Sequence, residues 1–494
     1  MRKKMTKVAI LCLGCCMALA TMSSCSKGFD DDETFSSKVT GTQLASPELT
    51  KANFTTVVNA DGSESIQVKW DVVEGAGGYS YKVDNVDGET PVPVVEETTT
   101  DKCFFLFPKA EDTKYQITVK ALANDKLHNT APENATVFAY STMIEAQMIP
   151  AGEDIVAFVK ANIKDTNDEQ AFELAGANYE INEELDFGQH KVTFRGNKLN
   201  HPIVKFGVDG VIRTGAGLKI KWINFDCTEQ DSKGVVELTN DPTDAQKVES
   251  DKAYHLVDPV IMEDCWFKNV KACLFFTGSY PWAVEDVRVV NCIVQLDNDG
   301  SKYGDAAIIC AINNKAVYPK GGTDHTWYGS VRNITIKEST LYNIKDNSKN
   351  RTIRFQNKDL GKIFSTATGS CTLTNNTFVK TMSDKEFGNN TPNANTYTIT
   401  LNGNVFDTCA RLAKFIQSNC ILNFDVTKNT AFTPADKTGD GARFANDFNY
   451  CTEEDPGFDT ENLKELDLTK PNGGVNFKAT GTISSTIGDP RWLQ

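Results

Sequence analysis

The sequence predicts an all-β protein in which a small antiparallel sandwich precedes a right-handed parallel β-helix with an N-terminal capping helix. Three observations predict it. Short alternating apolar and polar runs fill residues 43–143, and a spaced apolar motif recurs through residues 144–494. One stretch of helical spacing lies between them, with Ile155, Phe158, Val159 and Ile163 on one face. A chain of 494 residues also exceeds a single ordinary core.

The charge of the chain argues against nucleic acid as a partner. Lys and Arg total 51 and Asp and Glu total 66, a net charge of −15. Without residues 1–24, which carry four of the cations and no acid, the net charge is −19. Such an acidic chain is a poor binder of nucleic acid and of anionic membranes unless it has a local basic patch. At 40% hydrophobic residues and 10% aromatic residues, its composition is typical of a globular protein.

Residues 1–24 read as a removable leader. A basic start at Arg2–Lys7 is followed by the apolar run Val8–Ala20, which is too short to span a bilayer. The leader ends in Thr-Met-Ser-Ser before Cys25, which resembles a bacterial lipobox whose cysteine is lipidated. The alternative is a plain secretory leader in which Cys25 is an ordinary residue.

Residues 25–42 form an acidic tether that contains Asp30, Asp31, Asp32 and Glu33. This run resembles the surface-export signal of Bacteroidetes lipoproteins. The resemblance implies lipid anchoring in the outer membrane, facing the cell exterior, with the acyl chains supplying the attachment.

Residues 43–143 are predicted to form the sandwich. Alternating strands are expected at Ser65–Trp70, Tyr79–Val83 and Thr113–Ala121. An early-strand Trp70 and a tyrosine corner at Tyr115 resemble a fibronectin type III domain, and both side chains are expected in the core.

The β-helix prediction rests on a motif of two alternating apolar residues, a bend residue and a third apolar residue three positions on. Its successive copies start 26 to 47 residues apart, as in coils that carry loops of different lengths. The copies are Val192-Phe194-Gly196-Leu199, Leu218-Ile220-Trp222-Phe225, Val260-Met262-Asp264-Phe267, Val287-Val289-Asn291-Val294, Ile334-Ile336-Glu338-Leu341, Cys371-Leu373-Asn375-Phe378 and Ile399-Leu401-Gly403-Phe406.

The motif predicts strand, left-handed bend and strand, because Asn, Asp and Gly tolerate the left-handed conformation. Stacked coils would place Asn291 and Asn375 in one side-chain ladder. Cys265 and Cys292 would stack as small apolar residues, with a disulfide as the alternative. A large antiparallel sandwich is the alternative fold, and the regular spacing argues against it.

The order of leader, sandwich and coils resembles Bacteroidetes surface lipoproteins that carry a fibronectin type III domain and a pectin-lyase-like β-helix of unassigned function. Ile487–Trp492, preceded by Asp455–Phe458, resembles the tail of those β-helix domains. The resemblance implies a role in polysaccharide utilisation, with partner proteins of a glycan-uptake system.

In β-helix enzymes that act on polysaccharides, the ligand lies across the strand that follows the long loop of each coil. Simple alternation in these strands predicts that Glu237, Phe275, Arg354, Gln356 and Lys414 face outward. Arg354 and Lys414 are the candidates to hold a uronate carboxylate. Aromatic residues in or beside the insertions are candidates to stack on sugar rings: Tyr280, Trp282, Tyr303, Tyr318, Trp327 and Tyr328.

Catalysis is an open alternative. In a lyase, Arg354 or Lys414 would act as the base of a β-elimination, with calcium or cationic side chains acidifying the proton beside the carboxyl group. No cofactor is required by the sequence. The calcium candidates are Asp297, Asp299 and Asp305, and Asp436 with Asp440, Gly441 and Asp447; both sets match a calcium loop only in part.

Three functions follow as hypotheses. The first is a cell-surface lipoprotein that binds an acidic, pectin-like polysaccharide through the β-helix. The second is a polysaccharide lyase on the same face, and the third is a structural or adhesive surface protein. The absence of a familiar paired-carboxylate motif disfavours hydrolysis.

Overall fold

A computed structural model describes residues 39–248, 253–302, 307–312, 329–346, 351–355, 358–381, 386–409, 411–433 and 449–494. The chain divides into two compact units, residues 1–144 and residues 145–494. The predicted leader, the predicted lipidation site at Cys25 and most of the predicted tether lie outside the described residues. Within the described ranges, no helix has the length and apolar character needed to cross a membrane.

The first unit is an antiparallel β-sandwich. Its strands are β1 (Phe54–Val58), β2 (Glu64–Lys69), β3 (Gly78–Asn85), β4 (Val92–Thr100), β5 (Phe104–Pro108), β6 (Lys114–Leu122) and β7 (Thr136–Ser141). One sheet has the order β1-β2-β5 and the other the order β4-β3-β6-β7. Trp70 and Tyr115 are buried in the core between them, as predicted. The Tyr115 hydroxyl accepts a hydrogen bond from the Ala110 backbone N–H at 3.0 Å, which is the contact expected of a tyrosine corner.

The second unit contains 28 described strands and three short α-helices. The helices are α1 (Ile155–Asn162), α2 (Gly361–Phe364) and α3 (Leu412–Phe415). The strands are β8 (Ala146–Ile149), β9 (Gln170–Leu174), β10 (Asn178–Ile181), β11 (Glu184–Asp186), β12 (Val192–Arg195), β13 (Ile203–Phe206), β14 (Val211–Thr214), β15 (Leu218–Lys221), β16 (Asn224–Asp226), β17 (Gly234–Leu238), β18 (Tyr254–Leu256), β19 (Val260–Glu263), β20 (Trp266–Val270), β21 (Cys273–Phe276), β22 (Trp282–Val290), β23 (Ile293–Leu296), β24 (Ala307–Ala311), β25 (Ser330–Lys337), β26 (Thr340–Asn343), β27 (Arg351–Phe355), β28 (Gly369–Thr374), β29 (Thr377–Val379), β30 (Gly388–Asn389), β31 (Tyr397–Asn402), β32 (Asn404–Asp407), β33 (Ile421–Phe424), β34 (Asn429–Phe432) and β35 (Thr452–Glu453).

These strands form three long parallel sheets, which the chain visits in turn, as in a parallel β-helix. Sheet A has the order β8-β9-β12-β15-β19-β22-β25-β28-β31-β33, and β18 pairs with β22 beside it. Sheet B has the order β10-β13-β16-β20-β23-β26-β29-β32-β34-β35. Sheet C has the order β11-β14-β17-β21-β24-β27-β30. The predicted stack of coils is therefore present, and the antiparallel alternative is wrong for this unit.

The apolar positions of the repeat stack in columns through the interior. Ile220, Val289, Ile336 and Leu373 belong to one continuous column of sheet A, and all four are fully buried. The prediction is wrong for one apolar position of the motif, Leu199. Leu199 is 54% exposed, and Val204 takes the inward position opposite Phe225. The first motif copy carries a loop after its bend, which displaces the third apolar residue along the chain.

Six of the seven predicted bend positions have a positive φ, between 52° and 73°. They include Asp264, Asn291, Asn375 and Gly403, residue types that tolerate this conformation. Two further residues of this set, Trp222 and Glu338, adopt it without such a preference.

The buried side-chain ladder lies one residue beyond the predicted column. Asn376, Asn404 and Asn429, here called the asparagine ladder, are all fully buried and joined by Nδ2 to Oδ1 bonds of 3.0 Å. Cys265 and Cys292 occupy the equivalent position in earlier coils, and both are free and buried, as predicted for stacked apolar residues.

Helix α1 closes the first coil, in the position predicted for a cap. Asp154 caps its N-terminus by accepting a bond from the Ala157 N–H at 3.0 Å. Ile155, Val156 and Val159 join the core of the coils, and the helix packs against β8, β10 and β11.

Residues 455–494, here called the tail, run back over the outer face of sheet B. Leu466, Val475, Phe477 and Trp492 pack with outward side chains of that sheet in a separate buried cluster. The Leu466 N–H donates to Gln295 Oε1 at 2.9 Å. Among the described residues, the apolar cluster of the tail covers sheet B from β20 onward.

The Ile487–Trp492 motif is a clamp across four coils. Gly488 N donates to Gly403 O at 2.8 Å, and Asp489 Oδ2 accepts from Thr340 Oγ1 at 2.7 Å. Arg491 reaches Asn291 Oδ1 at 2.6 Å. The motif that resembles a family tail thus has a structural role in this chain.

Candidate functional site: the outer face of sheet C

The strands of sheet C do not alternate simply. In β21, Leu274 and Phe275 both enter the core, while Cys273 and Phe276 lie in a separate cluster outside the sheet. The outward orientation predicted for Phe275 is therefore wrong, because two consecutive inward residues shift the parity of the strand. Phe275 is fully buried and does not reach a ligand on the surface.

The true outward column follows from the strand register. It runs through Asp186, Arg213, Glu237, Phe276, Cys310, Arg354 and Asn389. Two predicted site residues, Glu237 and Arg354, therefore share one column, separated by the strands β21 and β24.

Glu237 is held inside this face and is only 5% exposed. Its carboxylate pairs with Arg213 Nη1 at 2.7 Å and accepts the Gly234 N–H at 2.8 Å. Burial raises the pKa of Glu237, and the Arg213 charge opposes that shift. Glu237 therefore forms a structural ion pair with the neighbouring strand, and its carboxylate is not open to a ligand.

The other end of the column gathers cations. Arg351 and Arg354 both project outward from β27, and Arg411 lies beside them at the start of α3. Glu386 pairs with Arg351 at 3.1 Å and with Arg411 at 3.4 Å. Partial burial alone would raise the pKa of Glu386, but a backbone hydrogen bond and these two guanidinium groups hold it below its ordinary value.

Lys414 belongs to the same end of the sheet, though on a different element from the one predicted. The expected strand at 410–415 is helix α3 from residue 412 onward, which packs against β30. Phe415 fills the space over Gly388, where a Cβ atom would lie 2.3 Å from its ring. Lys414 is exposed. We call Arg351, Arg354, Arg411 and Lys414, together with Glu386, the basic cluster, in which Glu386 pairs with Arg351 and Arg411.

The other predicted ligand-binding residues do not extend this cluster. Trp282 is fully buried in the core, so its predicted role in sugar stacking is wrong. Tyr280 is partly buried and packs edge-on against Tyr254. The remaining candidates lie outside the described residues: Gln356, Tyr303, Tyr318, Trp327 and Tyr328.

Of the predicted calcium ligands, some lie in the described part of the chain and the others lie outside it. Asp297 lies 3.8 Å from Lys345 Nζ, and Asp299 accepts the Ser301 N–H. In the described part of the chain, no three His, Cys, Asp or Glu side chains gather closely enough to hold a metal ion. Asp305 and the second candidate set around Asp440 lie outside the described residues.

Sequence reasoning missed Arg351 and Arg411. It also missed a groove on the outer face of sheet B, which is lined by Lys205, Asp226 and the tail residues 464–470 and 474. Arg351 is recognisable only when β27 is known to hold two consecutive inward residues between Arg351 and Arg354. The groove is built partly by the tail, so no local pattern indicates it.

Comparison with known families gives two matches, both without an assigned function. Residues 2–188 match DUF4992, a domain of unknown function, and residues 177–313 match DUF4957, another domain of unknown function. No curated protein and no solved structure matches the chain. The chain is thus similar to two uncharacterised domain families, whose common border lies within the first coils of the β-helix.

Proposed function

We propose that the protein is a cell-surface lipoprotein that binds acidic polysaccharide through the basic cluster. The observation that carries the proposal is that β27 and α3 bring three arginines and one lysine to one end of sheet C, where Glu386 pairs with two of the arginines, Arg351 and Arg411. The cluster carries a formal charge of +3 in a chain whose net charge is −15. A polyuronate is the glycan class that such a patch attracts.

The geometry of arginine supports this ligand. A guanidinium group offers a planar fork that matches a carboxylate in bidentate fashion. Arg351 and Arg411 hold Glu386, which fixes their orientation before a ligand arrives. Preorganised side chains lose less conformational entropy on binding, which favours affinity.

The finer assignments belong to the same proposal. The first unit is a fibronectin type III-like spacer, and the coils form a right-handed, pectin-lyase-like β-helix. Cys25 is the lipidated residue, and the acidic tether presents the protein outside the outer membrane as part of a glycan-utilisation system. The lipobox-like leader and the tyrosine corner support these assignments.

The test is affinity electrophoresis and calorimetry of the mature protein, from residue 25, with polygalacturonate and with neutral glycans. Polygalacturonate is expected to retard the protein, and Arg354→Ala is expected to abolish the effect. Arg288→Ala is the matched control, because Arg288 is an exposed outward arginine on sheet A. Equal binding by Arg354→Ala and the unchanged protein would contradict the proposal.

The same incubation separates the other two hypotheses. Ultraviolet absorbance from unsaturated uronate would indicate a lyase that uses Arg354 or Lys414 as its base. Neither retardation nor absorbance, with or without calcium, would favour a structural or adhesive role.

A further inference from the structure

The first coils of the β-helix carry a groove on the outer face of sheet B, far along the axis from the basic cluster. Three cavities of about 580, 680 and 340 Å³ adjoin there. Lys205 lines all three, which makes them parts of one groove. Their volumes match the size of sites that hold small ligands.

Three separate parts of the second unit build this groove. Its floor includes outward residues of β10, β13 and β16, among them Asn178, Lys205 and Asp226. One wall is the loop 152–154 before α1, and the opposite wall is the tail loop 464–474. The groove therefore occupies the part of sheet B that the tail leaves uncovered.

The end beside the tail attracts an anion. Each carboxylate lining that cavity has a partner: Glu465 lies 3.8 Å from Lys268, and Asp467 lies 3.0 Å from Lys470. Asp226 accepts bonds from the backbone and hydroxyl of Thr228. Two lysines, 205 and 464, are exposed and form no ion pair with any residue of the described ranges.

The end beside α1 has the opposite character. Four acids, Glu153, Asp154, Glu180 and Glu183, line it with the amides Asn178 and Asn182, and Lys205, at its border with the other end, is the one cation of that lining. This end repels a carboxylate but offers hydrogen-bond donors and acceptors to hydroxyl groups. A ligand with negative charge at every sugar is therefore disfavoured along the whole groove.

We infer that the groove binds a short oligosaccharide that carries one anionic group at the end held by Lys205 and Lys464, with neutral sugars toward α1. The inference rests on the proposed function, because it assigns a second glycan site to the same β-helix. The basic cluster would take polyuronates, while the groove would take a neutral chain that ends in a single uronate.

The test is isothermal titration calorimetry with three probes: a neutral trisaccharide with one terminal glucuronate, the same trisaccharide without the acid, and trigalacturonate. The monoacidic probe is expected to bind best. Lys205→Ala and Lys464→Ala are each expected to weaken it about tenfold, corresponding to about 1.4 kcal/mol. Lys428→Ala is the control, because this exposed lysine lies beside the far end of sheet B.

A second variant tests the polarity of the groove. Glu183→Gln removes one acid from the α1 end and is expected to tighten trigalacturonate while leaving the monoacidic probe little changed. Unchanged affinities in both lysine variants would overturn the inference.

The two proposals fail separately. Loss of the monoacidic probe in Arg354→Ala but not in Lys205→Ala would place the ligand at the basic cluster and refute the groove. Binding of that probe that depends on Lys205, without any binding of polygalacturonate, would refute the basic cluster and leave the groove standing.

Discussion

Replacing Asn404 by Leu tests whether the asparagine ladder stabilises the later coils. Asn404 Nδ2 donates to Leu373 O at 2.7 Å and to Asn429 Oδ1 at 3.0 Å. Its Oδ1 accepts the Asn376 backbone N–H at 3.2 Å and the Asn376 Nδ2 at 3.0 Å. Leu keeps a similar volume, so the substitution removes polar contacts without opening a large cavity.

The expected cost follows from these four bonds. The Asn376 N–H loses this partner at a fully buried position, which costs about 1 to 3 kcal/mol, and each remaining bond contributes about 1 kcal/mol. The total is about 4 to 6 kcal/mol. The second unit has 350 residues, for which an unfolding entropy of about 2.1 cal/mol/K per residue converts this loss to a fall in Tm of about 5 to 8 °C.

Differential scanning calorimetry of the mature chain measures the effect. The sandwich serves as an internal reference, because Asn404 lies in the other unit. Asn402→Ala is the matched control, since Asn402 ends β31 and is exposed. A fall in Tm no larger than that of the control would refute the assignment of stability to the ladder.

Three further outcomes are expected. Burial raises the pKa of Asp407 to about 7, so the folded state holds the proton of this carboxyl group more tightly than the unfolded state does. The free energy of unfolding should therefore fall as the pH rises from about 4 to 7. Urea titrations at several pH values should show that Asp407→Asn flattens this dependence. Arg491→Ala should destabilise the second unit by about 2 to 3 kcal/mol and speed proteolysis of the tail, whereas Lys478→Ala should not. Cys265 and Cys292, whose thiol pKa values are raised by burial, should react with a thiol reagent only after unfolding, and a disulfide in mass spectra would contradict this.

The coil architecture was predictable because the bend residue is recognisable in the sequence from its type and its spacing. Asn291 and Asn375 stand where a left-handed residue must join two inward-facing strands, and both adopt that conformation. The predicted bend column forms one side-chain bond, from Asn291 Nδ2 to Asp264 Oδ1 at 3.1 Å, but the continuous buried ladder lies one residue later. The next residue, such as Asn376, faces inward and carries the buried amide.

The site was less predictable than the fold because sheet C breaks the two-residue period. One extra inward residue in β21 reverses the assignment of Phe275 and Phe276, while Arg354 keeps its predicted face. The alternation of side chains along a strand also predicts only which face a side chain is on, and it does not predict how much of that side chain is exposed. Glu237 does lie in the outward column, yet its ion pair with Arg213 encloses it.

The groove depends on where the tail ends its path over sheet B. Leu466 and Phe477 cover outward residues of the later coils, and the loop 464–474 lies beside the outward residues of β10, β13 and β16. The clamp formed by Arg491 holds this arrangement across the coils. Weakening the clamp should therefore loosen the tail wall that carries Lys464 and reduce affinity for the monoacidic probe without altering Lys205. If Arg491→Ala binds this probe with unchanged affinity, the clamp is not needed to hold the tail wall of the groove in place.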